Sequence, residues 1–291
     1  MHHHQLSFKV ISGVSTMAKT RTPFPLLMIS FCFVFLVNNV KSDSLSFGFS
    51  KFEPGIQFDI GFLGDARVVD GAIQLTRRDG GSYGNPIIRE HSAGRAVYIP
   101  PVRLWDKTTG KLADFETVFT FVVDSAGSQI HADGLSFFII PFDADPSVPK
   151  NSTGGYLGLF TPETAFNADK NQIVAIEFDS FGNEWDPEPV AIAPHIGVDI
   201  NSLESVKTTD WPINSVPEGS IGKGSIIYDS GKKELSVGVV YDTHPPTVVE
   251  LSKTIDLRGV LPEWVRIGFS GATGDSVETH DILSWFFASR I

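Results

Sequence analysis

Glu177 and Asp179 stand two residues apart in the segment Val174-Ala175-Ile176-Glu177-Phe178-Asp179. In a β-strand residues i and i+2 point the same way, so the two carboxylates share one face of an otherwise apolar strand. Stripped of water and unpaired, they would repel each other and destabilise that strand strongly. No Lys or Arg of the segment stands ready to neutralise them. A divalent cation would, and further donors follow in Phe181-Gly182-Asn183-Glu184-Trp185-Asp186 and in His195. Hard oxygens from Asp179, Asn183, Asp186 and one loop carbonyl suit Ca2+. Glu177, Asp179, Asp186 and the His195 imidazole suit a transition ion such as Mn2+. Asp179 and Asp186 could bridge the two. The bland reading is an acidic solvated loop with His195 in the core. Each residue alone fits that reading; the whole set at a strand–loop–strand junction favours the metal pair.

The elements that must hold this set are strands. Phe47, Phe49 and Lys51-Phe52 alternate, and Phe115, Thr117, Phe119, Phe121 and Val123 share one face. Positions 135–142 and 173–178 are nearly continuous apolar runs, as strands buried on both faces require. Positions 225–228 and 235–241 flank Asp229-Ser230-Gly231-Lys232, a good hairpin turn. A last strand-like run covers 282–291. No stretch of twelve residues carries a helical period, and no internal repeat or linker interrupts the pattern. The expected fold is all-β: one antiparallel β-sandwich over 43–291. Asn151-Ser152-Thr153 is the single N-glycosylation sequon beyond the leader, placed by Pro149, Lys150 and Gly154 in an exposed loop.

Residues 1–42 read as an N-terminal extension and secretory signal peptide. They hold no Asp or Glu, and Lys19 and Arg21 precede the apolar run from Pro23 to Val37. That run is short for a membrane span, so none is expected. Cleavage near Ser42–Asp43 would remove Lys9, Lys19, Arg21 and Lys41 and no acid, taking the formal net charge from −11 to −15. Such a surface repels phosphate backbones, which argues against nucleic acid. Cys32, the one cysteine, lies in the leader, so the mature chain would carry no disulfide into an oxidising compartment. The expected location is the secretory pathway, ending in an extracellular, vacuolar or symbiosome compartment.

The metal segment resembles the metal-binding hairpin of the legume lectins, which have the L-type, concanavalin-like jelly roll. The likeness spans the mature chain. It includes Ala132-Asp133-Gly134, Gly154-Gly155-Tyr156-Leu157-Gly158, Leu261-Pro262-Glu263-Trp264, Gly268-Phe269-Ser270 and Glu278-Thr279-His280-Asp281. Within the family it is nearest to the nodule lectins of legume roots. The resemblance implies that Glu177, Asp179, Asp186 and His195 hold Mn2+, with Ser205 reaching it through water. Ca2+ would take Asp179, the Phe181 carbonyl, Asn183 and Asp186. It further implies a sugar site in which Asp133 accepts from two hydroxyls and the Gly155 N–H and Asn183 amide donate. Phe181 would stack on the ring, and Asp275 and Ser276 would fall in the variable fourth loop. It also implies a cis Ala132–Asp133 peptide held through calcium-bound water. Each residue has an ordinary structural reading too: Asp133-Gly134 as a turn pair, Gly155 as a loop glycine, Phe181 as core. The sequence departs from many relatives between Pro187 and Pro194, where the loop is several residues longer.

The function this implies is metal-dependent, non-catalytic binding of glycans or glycoproteins. The length of the 269–285 stretch points to glucose/mannose-type sugars. Assembly as a homodimer or homotetramer, usual in the family, would raise weak monosaccharide affinity through multivalency. A glycoside hydrolase on a related sandwich would need alternating acids on one strand. After Glu177 and Asp179 the next same-face residue is Phe181. A storage or defence protein that kept the fold and lost the site is the nearer alternative, although every ligand position here is filled.

Overall fold

The computed structural model describes residues 44–291 apart from 54, 81–86, 129 and 188–193. The expected leader over 1–42 and most of the loop between Pro187 and Pro194 lie outside the described residues. Two eight-stranded sheets stack face to face, and every strand pair is antiparallel. The front sheet runs β13 (Lys207–Asp210), β12 (His195–Ile200), β11 (Val174–Asp179), β10 (Gly134–Pro141), β17 (Trp264–Ala272), β7 (Ala93–Tyr98), β2 (Ile60–Gly64). A short β8 (Val102–Arg103) pairs with β17. The back sheet runs β16 (Thr247–Thr254), β15 (Glu234–Tyr241), β14 (Ile221–Asp229), β9 (Asp114–Asp124), β18 (Thr279–Arg290), β4 (Ala72–Gln74), β3 (Arg67–Val69). There β1 (Ser44–Phe49) lies along β18, and a separate ribbon pairs β5 (Arg78–Asp79) with β6 (Ile87–Ile88). Among the described residues the only helices are short 3-10 turns, and none is long and apolar enough to cross a membrane.

The alternation along β9 buries Phe115, Thr117, Phe119, Phe121 and Val123 between the sheets. Aromatic rings lock the layers together. Phe121 meets Phe178 of β11 edge-on at 5.3 Å, Phe119 meets Phe269 of β17 at 4.9 Å, and Phe269 meets Trp285 of β18 at 4.9 Å. The hairpin expected at 229–232 joins β14 to β15, with Asp229 opposite Glu234 and Lys233 at φ 53°. Phe52 is buried but lies past the end of β1.

The front sheet has two differently used faces. Leu135, Phe137 and Ile139 of β10 and Val174, Ile176 and Phe178 of β11 point into the main core. On the outer face Phe138, Ile140 and Ala175 pack under Leu157, Leu159, Phe160, Ala165 and Leu203 in a second apolar cluster. That covering explains why β10 and β11 read as unbroken apolar runs. At the other end of the same outer face the side chains turn acidic.

Candidate functional site

The register of the front sheet brings the expected ligands together. Gly134 of β10 lies opposite Asp179 of β11, which lies opposite His195 of β12. One row along, Ser136, Glu177 and Gly197 are aligned. Glu177, Asp179 and His195 are all buried, and their donor atoms lie within 4.8 Å of one another. His195 Nε2 stands 3.0 Å from Glu177 Oε1, and Ser205 Oγ stands 2.6 Å from the same oxygen. A Cβ at position 197 would come 2.0 Å from Ser205 Oγ and 2.3 Å from Glu177 Oε1, so any side chain there would displace both groups.

Asp179, Asp186 and Asn183 are tied by the connecting loop. Asp179 Oδ1 accepts from the Phe181 N–H at 2.7 Å, and Asp186 Oδ2 accepts from the Asn183 N–H at 2.6 Å. Asp186 stands outside the tightest group of three but feels the charges of His195 and Glu177. Burial, reinforced by Glu177 and Asp186, pushes the Asp179 carboxyl well above the usual carboxylate range. Burial lifts Asp186 to about 6, with the Asn183 N–H pulling the other way. Carboxyls pushed upward by burial and by one another would be stabilised in their ionised form by a cation placed among them. Asn183 Oδ1 is buried with no hydrogen-bond donor among the described residues. Such an atom needs a partner, and a hard cation fits it. The donor set therefore fits a divalent cation.

Asp199 escaped the sequence reading. It is fully buried two strand positions beyond Gly197, on the face of His195, with Oδ1 2.7 Å from Ser205 Oγ. Burial and the Glu177 charge push it well above its ordinary range. A strict two-residue count from His195 through Gly197 was the available signal.

The sugar-facing candidates converge on the same end of the sheet. The Ala132–Asp133 peptide is cis, as the resemblance implied. Asp133 N–H donates to Ala272 O at 3.2 Å, and Asp133 O accepts from the Ser180 N–H at 2.9 Å. Its Oδ2 is buried without a hydrogen-bond partner among the described residues. Burial, then the nearby Glu278 charge, pushes Asp133 up to about 7, against the Gly274 N–H. Gly154 N–H donates to Thr273 O at 3.0 Å, so the glycine loop is sewn to the fourth loop. Gly155 packs on the Asn183 amide so closely that a Cβ would stand 2.4 Å from its Oδ1. Phe181 is a surface residue, 37% exposed, rather than part of the core. Asp275 is almost wholly exposed at the rim, 3.3 Å from His91 Nε2. Ser276 is half-buried beside it. Asn151 lies apart, exposed in a turn at φ 55°.

The family model of the legume lectin domain matches residues 44–290. The chain belongs to the legume lectin family. Lectin 8 of Medicago truncatula is 48% identical, over 94% of this chain and 96% of its own length. Agglutinin-2 of Cladrastis kentukea is 42% identical, over 95% of this chain and 93% of its own. The metal-free form of lectin I-B4 from Griffonia simplicifolia superposes with a TM-score of 0.75 at 40% identity. It covers 85% of this chain and 100% of that one. The lectin of Bauhinia forficata in complex with GalNAc superposes with a TM-score of 0.72 at 41% identity, covering 84% of this legume lectin and 98% of that chain. Carbohydrate binding is the function this membership carries, and glycans are its partners.

Proposed function

We propose that this chain is a calcium- and manganese-dependent, non-catalytic lectin. Glu177, Asp179, Asp186 and His195 would hold manganese, with Ser205 acting through water. Asp179, the Phe181 carbonyl, Asn183 Oδ1 and Asp186 would hold calcium. The ions, when bound, supply the positive charge that lets these buried carboxylates ionise together. The chain's own groups then do the recognition. Asp133 accepts from two vicinal hydroxyls. The Gly155 N–H and the Asn183 amide donate, while the exposed Phe181 ring covers the apolar face of the sugar. The observation that carries this reading is the pair of buried, unpartnered oxygens, Asp133 Oδ2 and Asn183 Oδ1, on loops bound to each other.

The preferred sugar class is glucose/mannose, on the length of the loop between Phe269 and Trp285. Galactose-type sugars are the second reading. Structurally similar lectins include lectin UEA-II complexed with galactose and the Bauhinia protein with GalNAc. The fuller proposal has residues 1–42 removed as a signal peptide and Asn151 glycosylated. It places the mature domain over 43–291 in an extracellular, vacuolar or symbiosome compartment, as a homodimer or homotetramer. A storage or defence protein with a lost site is the alternative. A glycan array run with and without chelator decides between them. Chelator-sensitive binding to mannose- or glucose-terminated glycans is expected; no binding to any glycan with both ions present overturns it.

A further inference from the structure

Behind Asp133 lies a buried polar cluster that neither the metal ligands nor the sugar-facing atoms account for. Its centre is Glu278, which has no solvent-exposed surface. Oε1 accepts from Ser180 Oγ at 2.5 Å and from His280 Nε2 at 2.9 Å. Oε2 accepts from His131 Nδ1 at 2.9 Å. Thr76 Oγ1 lies 3.0 Å from His280 Nδ1, and donating there it leaves the His280 proton on Nε2, facing Glu278. A carboxylate removed from water persists only where donors replace its hydration, and three donors do so here.

Two of the three donors, His131 and Ser180, come from segments that compose the sugar site. His131 stands two residues before Asp133. Ser180 follows Asp179, and its N–H holds the Asp133 carbonyl at 2.9 Å. Glu278 itself closes the loop that carries Asp275 and Ser276, and Gly274 of that loop is in close contact with Asp133. A Cβ added to Gly274 would stand 2.9 Å from Asp133 Oδ2. One carboxylate is thus bonded to the 131–133 segment and to the start of the metal loop, and it terminates the fourth loop.

We propose that Glu278 is the positioning residue of the glycan site: it pins the 131–133, 179–183 and 273–278 segments in the one arrangement in which Asp133 and Asn183 meet the same sugar. The proposal rests on the glycan-binding reading above. Glu278 is neither one of the proposed metal ligands nor one of the proposed sugar-contacting residues. Its removal therefore separates recognition from metal uptake. A merely structural role would lower stability and leave the affinity of the folded fraction unchanged.

The test uses the full chain loaded with calcium and manganese. Binding to yeast mannan (mannose-terminated) and to asialofetuin (galactose-terminated) is measured beside metal content and Tm. Glu278→Gln keeps the size and one acceptor but turns the other position into a donor facing His131. It is expected to bind about tenfold or more weakly to whichever probe the unaltered chain binds, with both ions retained and Tm within a few degrees. Ser180→Ala removes one arm only and guards against a misfolded Gln variant. Its loss should overlap with that of Glu278→Gln, so that the double variant loses less than the product of the two. Unchanged probe affinity in Glu278→Gln overturns the proposal. So does unchanged affinity in Ser180→Ala if Glu278→Gln fails to fold or loses its ions. If the unaltered, metal-loaded chain binds neither probe, the variants are compared on the glycan that the array identifies; if it binds no glycan at all, the glycan-binding reading falls first and this inference with it.

Discussion

Two glycines show how tightly single residues set this site. At Gly155 a Cβ would meet Asn183 Oδ1 at 2.4 Å and Trp185 Cζ2 at 2.9 Å, so the Asn183 amide, proposed above to donate to the sugar, would have to move. Gly155→Ala is expected to weaken glycan binding about tenfold or more, with Tm little changed, by calorimetric titration. At Gly197 the obstruction falls on Glu177 and Ser205 instead. Gly197→Ala should lower manganese content in elemental analysis of purified protein; normal content would contradict the crowding. Gly155 was legible from the resemblance of the Gly154–Gly158 motif. Gly197 was not, because its importance comes from lying opposite Glu177 across a strand pair. Asp199 and Glu278 were missed for the same reason: an acid's partners, fixed by register, decide whether it is a surface charge or a buried one.

At the scale of elements, strands were legible where one period held over their length. The alternation of β9 gave its inward face directly, and the unbroken runs of β10 and β11 signalled cover on both sides. Phe121 lies at the meeting of the sheets, within ring contact of Phe119, Phe178, Trp211 and Tyr241. Phe121→Ala is expected to cost about 3–5 kcal/mol of stability in denaturant unfolding. Turn ends were less legible. The 3-10 turn Leu257–Gly259 is capped by Asp256, whose carboxylate accepts from the Arg258 N–H and guanidinium and pairs with Lys233 Nζ at 2.9 Å. Those bonds, Arg258 first, hold the Asp256 carboxyl well below its ordinary range. A depressed folded-state pKa stabilises above the unfolded value, about 3.9, and the contribution fades as pH falls through the folded value. With a third of the side chain exposed, solvent screening keeps the pair to about 1 kcal/mol or less. Asp256→Asn should lower Tm slightly at pH 7, and the difference should shrink near pH 3. A pH-independent difference would assign the effect to the turn backbone.

The whole molecule separates stability from recognition. Neither the apolar core that joins the sheets nor the apolar cluster on the outer face of the front sheet contains a proposed metal ligand. Chelation is therefore expected to abolish glycan binding while far-UV circular dichroism stays near that of the loaded protein. Full binding by the stripped chain would sink the metal dependence. The sequence alone determined the all-β class, the candidate ligands and the family likeness, because alternation, apolar runs and close-spaced acids are properties of neighbours along the chain. Only the tertiary structure decided which acids are buried together, that Asp133 and Asn183 belong to loops bound to each other, and that Glu278 joins them. Those pairings link residues up to about 150 apart in the chain, and it is sheet register and the stacking of two layers that bring them within hydrogen-bonding reach.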